Sequence, residues 1–198
     1  MKKLTALVLA LCMALGLAAC GGSKDTGSAA GSTAAASGDT IKIGVYEPQS
    51  GDNGAGGKQE ILGIQYANSV APTVEIGGKT YNVKLEIVDN ESSNDKAVSA
   101  ASQLVSQGVS VVLGSYGSGV SIAASDTFKN AGVPAIGITC TNPAVTAGNT
   151  HYFRACFIDS FQGPVLANYA YDNLKVKKAY CLSKLGDDYS DRKSTRLN

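Results

Sequence analysis

Histidine is almost missing from these 198 residues, no Cys-x-x-Cys pair occurs, and basic side chains are neither clustered nor in excess. The lone histidine, His151, sits in a polar loop beside Asn149 and Thr150, where a solvated ring is expected. Without paired cysteines, a structural zinc site has no framework. Residues 41–190 carry 11 basic and 13 acidic side chains, a net of about −2. Neither nucleic acid nor an anionic membrane surface is therefore an expected partner. Catalytic signatures are lacking too. Asp52 and Gly57-Lys58-Gln59 approach a phosphate loop but lack its first glycine and its final Ser/Thr. Gly114-Ser115-Tyr116-Gly117-Ser118-Gly119 does not spell the dinucleotide fingerprint. Ser121 has Gly119 two residues before it but Ala123 two after, so the hydrolase nucleophile elbow fails as well. A non-enzyme without metal or cofactor is the expectation.

What is present begins with Lys2 and Lys3, followed by an apolar run over residues 4–17 interrupted only by Thr5. That run is too short to cross a bilayer and ends in the small residues of a secretory cleavage site. Leu17-Ala18-Ala19-Cys20, followed by glycine, resembles the lipobox of bacterial lipoproteins. The resemblance implies that residues 1–20 are a signal, that Cys20 is lipidated, and that the mature protein is tethered outside the cytoplasm, where several acyl chains make a stable anchor. Residues 21–40 then hold five Gly, four Ser, five Ala and three Thr. Such a segment buries no core and serves as a flexible leash of roughly 25 Å root-mean-square reach. At the other end, Asp191-Arg192-Lys193-Ser194-Thr195-Arg196-Leu197-Asn198 breaks the preceding composition and resembles the in-frame translation of a sequencing adapter. The expectation is a fragment whose natural sequence stops being represented at about Ser190.

Between these ends, strand and helix alternate. Residues 41–46 read as a buried strand, and a Gly-rich loop follows over residues 50–57. Ile61, Ile64, Ala67 and Ala71 recur at helical spacing, and residues 81–88 alternate with period two. Asn94 is placed to cap a helix whose inner face is Ala97, Val98, Ala101, Leu104 and Val105. Apolar strands are expected at 109–113 and 133–138, around a helix carrying Val120, Ala123, Ala124, Phe128 and Ala131. A short strand near Phe153, a helix over 160–173 and a strand over 178–182 complete the pattern. Alternation of this kind predicts an α/β fold, a parallel sheet covered by helices on both faces. Beyond the signal cysteines, Cys140, Cys156 and Cys181 remain. Cys156 and Cys181 fall on or near neighbouring expected strands and could pair, or stay buried thiols.

Ligands of such sheets bind beyond the carboxyl ends of the strands. The loops at residues 49–58, 114–118 and 139–142 are rich in Gly, Ser and Thr and nearly uncharged. Hydroxyls with free amides at helix starts hold a carboxylate without a cationic partner. Ser118 and Thr141 are candidates for that role, with helix capping and turn formation as their ordinary alternatives. Convergence of the loops favours a small anionic or zwitterionic ligand.

An ordered series of residues carries a family resemblance. It runs from Ile41-Lys42-Ile43-Gly44-Val45 and Ser50-Gly51 through Val88-Asp89-Asn90 and Asn94-Asp95-Lys96-Ala97-Val98. It continues in Leu113-Gly114-Ser115, Ala131-Gly132-Val133-Pro134, Thr139-Cys140-Thr141-Asn142-Pro143, Phe153-Arg154, Asp159 and Gln162-Gly163. This series resembles the periplasmic-binding-protein type 1 family, in particular the leucine/isoleucine/valine-type substrate-binding proteins of ABC transporters. The resemblance implies two α/β lobes closing on a ligand, the first over residues 41–157 and the second only begun over 158–190. It implies a monomer that hands an amino acid or related carboxylate to an ABC permease, with ligand sensing for a signalling partner as the alternative. It places Ser118 on the ligand carboxylate, the main-chain carbonyl of Thr139 on the ammonium, and Thr141 on the polar head. Tyr189, in Asp187-Asp188-Tyr189, is the matching second-lobe tyrosine. Where many members carry an aromatic residue in the first loop, this chain has Gly56, and Tyr116 is the candidate to fill that space, with packing against a neighbouring loop as its ordinary alternative.

Overall fold

The computed structural model describes residues 40–190, so the signal, Cys20, most of the leash and residues 191–198 lie outside the described residues. At its centre is β1 (Thr40–Glu47), an apolar strand whose last four residues are buried. Parallel strands flank it on both sides. β3 (Lys79–Asp89) pairs along its whole length and β4 (Val111–Leu113) along its C-terminal half. Beyond β4 come β5 (Ala135–Gly137) and β6 (Tyr152–Arg154), again parallel. On the opposite edge β2 (Thr73–Ile76) pairs antiparallel with β3, giving the order β2-β3-β1-β4-β5-β6. β2 has no counterpart among the sequence-based expectations. Its signal was Gly77-Gly78, both at positive φ, the two-residue turn that suits a tight hairpin.

Helices form the crossovers: α1 (Gly54–Val70), α2 (Asn94–Ser106), α3 (Ser118–Asn130) and α4 (Asp159–Asn168). A single π turn (Tyr169–Asn173) extends α4 to the expected end. The inner face of α2 is Ala97, Ala100, Ala101 and Leu104, the last three at three, four and seven residues from the first, as a buried stripe requires. Val98 was expected there and is instead half exposed, because it lies about 100° around the helix from Ala97. α2 starts one residue earlier than a cap at Asn94 would place it: Asn94 is its first residue, and Ser93 precedes it without a side-chain cap. α1 buries Ile61 and half-buries Ile64, leaving Ala67 exposed.

Side chains alternate across β1, so Gly44 and Tyr46 face α2 and α3 while Val45 and Glu47 face the other side, where α1 lies. Tyr46, Val88, Val112, Ala135 and Tyr152 from the sheet pack with the α2 stripe and with Val120, Ala124 and Phe128 of α3. Tyr46 meets Phe128 edge-on, with ring centroids 5.5 Å apart, and donates its hydroxyl to the Val120 carbonyl at 3.1 Å. Tyr46→Phe keeps the ring and loses that bond. A loss of about 0.5–1.5 kcal/mol is expected in denaturant unfolding.

One expected strand does not form. Residues 178–182 carry no strand, with Tyr180 94% and Leu182 98% exposed. A strand exists only where a neighbour pairs its backbone groups, and none of the described residues does so here. The disulfide drawn from that placement goes with it: Cys140, Cys156 and Cys181 are free thiols. Among the described residues no helix is long and apolar enough to cross a membrane.

Candidate functional site

The chain leaves β1 toward one side of the sheet and returns to β4 on the other. The strand order therefore reverses between β1 and β4, and the loops after them part to open a crevice. A cavity of about 670 Å³ lies there. Its walls come from the ends of successive parallel strands: Asn53 after β1, Asn94 and Asp95 after β3, residues 116–120 after β4, Thr139 and Thr141 after β5, and Phe157 after β6. Residues 184 and 186–189 close one side. Tyr116, Ser118, Thr139, Thr141 and Tyr189, the five expected ligand contacts, all line this cavity.

Ser118 opens α3 and is almost completely buried. Gly117 precedes it as N-cap and offers no side-chain acceptor, and no acidic residue occupies the first turn. The first amides of α3 thus have no intrahelical partner and no cap from Gly117, and the positive end of the helix dipole faces the cavity. Ser118 Oγ accepts the Asn142 amide at 3.3 Å, joining the loops after β4 and β5. Across from it, Thr141 is buried and its Oγ1 has no hydrogen-bond partner. A buried hydroxyl of this kind costs about 1–3 kcal/mol until something bonds it. Thr139 donates its hydroxyl to Glu60 Oε1 at 2.6 Å, so its main chain is what it can offer a ligand.

Tyr116 packs against the first loop at Gly56. A Cβ on Gly56 would lie 2.6 Å from the Tyr116 ring, so the bare glycine is the notch in which the ring rests. Its amide donates to Glu47 Oε2 at 2.6 Å, which fixes the backbone as well. Tyr189, about 40% exposed, stands on the opposite wall. Its segment is tied to the loop after β5 by Asn142 Nδ2, which donates to the Asp188 carbonyl at 2.5 Å. Lys184 and Asp52 pair at 2.7 Å on the rim, where full exposure makes the pair worth little. His151 stays outside the lining, half-buried in its polar loop with Thr150 Oγ1 3.1 Å from Nδ1.

Several supporting residues escaped the sequence reading. Arg154 donates to the carbonyls of Cys140 and Asn142 and to Thr146 Oγ1, at 3.0, 2.8 and 3.1 Å, and so holds the whole loop after β5. Asp89 accepts from the Gln49 amide, Ser50 Oγ and the Glu91 amide at 2.7–2.8 Å. Partial burial pushes its carboxyl up, but these donors outweigh it and hold the group below the usual carboxylate range. The only signal for either was the short string in which it sits, which names a residue without its partner. Among the described residues no cluster of three metal-binding side chains occurs.

Residues 40–195 match the periplasmic binding protein family. The chain belongs to that family. Among its relatives, Leu/Ile/Val-binding protein homolog 3 of Brucella melitensis is 35% identical over 148 residues, 74% of this chain and 40% of the relative. The leucine-binding protein LivK of Thermotoga maritima superposes with a TM-score of 0.74 at 34% identity, covering 79% of this chain and 44% of that one. The branched-chain amino acid substrate-binding protein LivJ of Streptococcus pneumoniae, solved with isoleucine, gives 0.73 at 32% identity, covering 80% and 46%. This member of the family thus spans less than half the length of the relatives it matches. Its fold is that of the periplasmic-binding-protein type 1 neighbours, with one lobe in partial form.

Proposed function

We propose that the cavity captures an amino acid, of branched-chain type or a related carboxylate, for delivery to an ABC permease outside the cytoplasm. The carrying observation is the pairing of an uncapped α3 N-terminus at Ser118 with the unpartnered Thr141 hydroxyl in one cavity. Those groups suit a carboxylate. The Asp95, Asp187 and Asp188 carboxylates around the lining suit an ammonium, and Val120, Phe157 and the two tyrosines suit an aliphatic body. In this reading Ser118 and the α3 amides take the carboxylate, the Thr139 carbonyl takes the ammonium, and Thr141 and Tyr189 complete the polar head. The names of the relatives, Leu/Ile/Val-binding and amino acid binding, support the same class. A second lobe, begun at residues 158–190, closes over the ligand, and closure presents the form the permease accepts. Cys20 anchors the monomer to the membrane through lipid, with residues 21–40 as leash.

The cleft in the chain as it stands has one wall and part of another. Calorimetric titration of residues 21–198 with leucine, isoleucine and valine is therefore expected to give no saturable heat. Saturable binding in the micromolar range would show that the second lobe is not needed and would overturn this division of the site.

A further inference from the structure

Behind the cavity wall lie two carboxyl groups that ligand capture does not use. Glu47 ends β1 and is fully buried, with Oε2 accepting the Tyr116 amide at 2.6 Å. Glu60, in the second turn of α1, is half-buried, with Oε1 accepting the Thr139 hydroxyl at 2.6 Å. The remaining oxygens, Glu47 Oε1 and Glu60 Oε2, are both buried and receive no N–H or O–H from any other group. The two carboxyls face each other within hydrogen-bonding contact. Two carboxylates in that position would only repel, whereas an acid and a carboxylate make a short, strong bond.

We propose that Glu47 and Glu60 are one acid–carboxylate unit holding a single shared proton, and that this bridge clamps the Tyr116 and Thr139 loops together along the cavity wall. The unit joins four elements: β1 and α1 through the carboxyls, the loop after β4 through the Tyr116 amide, and the loop after β5 through Thr139. Both loops line the cavity. Loss of the proton would turn the link into a repulsion and loosen two walls at once.

The surroundings favour retention of the proton. The titratable groups within electrostatic reach of the pair are the phenols of Tyr46, on the opposite face of β1, and of Tyr152 on β6, which feel Glu47, and the thiol of Cys156 just after β6, which feels Glu60. Burial, before any other cause, raises all three above their ordinary values, so each stays neutral near pH 7. Arg154 acts on Cys156 but spends its guanidinium on the loop carbonyls, and among the described residues no cation is a cause of the shift at Glu47. Burial, reinforced by the Glu60 hydrogen bond and charge, pushes Glu47 up to about 10, against the Tyr116 amide that pulls it down. The folded chain therefore keeps a proton that the unfolded chain releases above its ordinary value of 4.5. The stabilisation is complete below that pH and is lost as pH rises toward about 10.

Glutamine at position 47 supplies the same bond without a proton, its amide donating to Glu60 and its carbonyl accepting from Tyr116. The test compares the chain with Glu47→Gln and Glu60→Gln, with no ligand present, so its outcome is independent of the amino-acid reading. Thermal midpoints of the unaltered chain are expected to fall between about pH 5 and about pH 9, while those of Glu47→Gln fall less, leaving the variant about 5–10 °C the more stable at the alkaline end. Infrared spectra at neutral pH should show a buried protonated carboxyl band in the unaltered chain that disappears in Glu47→Gln. Parallel pH profiles for the chain and Glu47→Gln would overturn the proposal. So would absence of the protonated band in the unaltered chain, an observation that holds whether or not either variant folds.

Discussion

Gly114→Ala is expected to lower stability by about 3–6 kcal/mol, combining backbone strain with overpacking. Gly114 follows β4 with φ at +117°, a conformation that side-chain-bearing residues rarely adopt. A Cβ there would press on the Tyr46 carbonyl and on the Glu47 carboxyl. The first obstacle is backbone of the central strand, which cannot swing aside, and the Glu47 carboxyl behind it is held by the Tyr116 amide. The glycine is also bonded on both sides: its amide donates to the Ile136 carbonyl at 3.0 Å, and its carbonyl accepts the Tyr152 hydroxyl at 2.9 Å. Moving it to relieve the contact would break those bonds too. Denaturant unfolding measures the change. A loss below about 1 kcal/mol would mean that β1 and the loop after β4 do not approach so closely.

The second large effect falls on binding. In a chain that carries the proposed second lobe, Ser118→Ala and Thr141→Ala are each expected to cost about 1–3 kcal/mol, roughly 5- to 150-fold in affinity. Stability should respond in opposite ways. Ser118→Ala removes the acceptor for the Asn142 amide and weakens the free protein. Thr141→Ala removes a buried hydroxyl that bonds nothing in the empty cavity, so the free protein should be unchanged or slightly more stable. Paired calorimetry and thermal melts separate the two. Unchanged affinity in both variants would mean that the carboxylate is held elsewhere. The double variant should lose less than the sum, since both groups serve one ligand head.

The sequence made the architecture legible because a doubly covered parallel sheet writes itself as short apolar runs between helical periods. Residues 41–46, 81–88 and the stretch near Phe153 mark their strands within a residue or two, and the gathering of Gly, Ser and Thr in three loops marked the mouth of the crevice. Partnership was harder to see. Val98 and Ala100 are both apolar, and only the rotation of α2 against the sheet decides which is buried. Residues 178–182 have strand composition, but composition does not supply a neighbouring strand. Glu47 was the hardest: a carboxyl in an apolar strand looks like the strand's polar end. Its role depends on Glu60, thirteen residues away, and on the Tyr116 amide, 69 away. Tyr116 shows the opposite case. Its packing against the first loop at Gly56 was foreseeable, and the ring rests there.

The central claim, that this cavity receives an amino acid, is tested most directly by titrating the chain extended through the proposed second lobe with each of the standard L-amino acids. Saturable one-to-one binding of an aliphatic L-amino acid, weakened by Ser118→Ala, is the expected result. Absence of binding by every amino acid, in a protein that melts cooperatively, would contradict it.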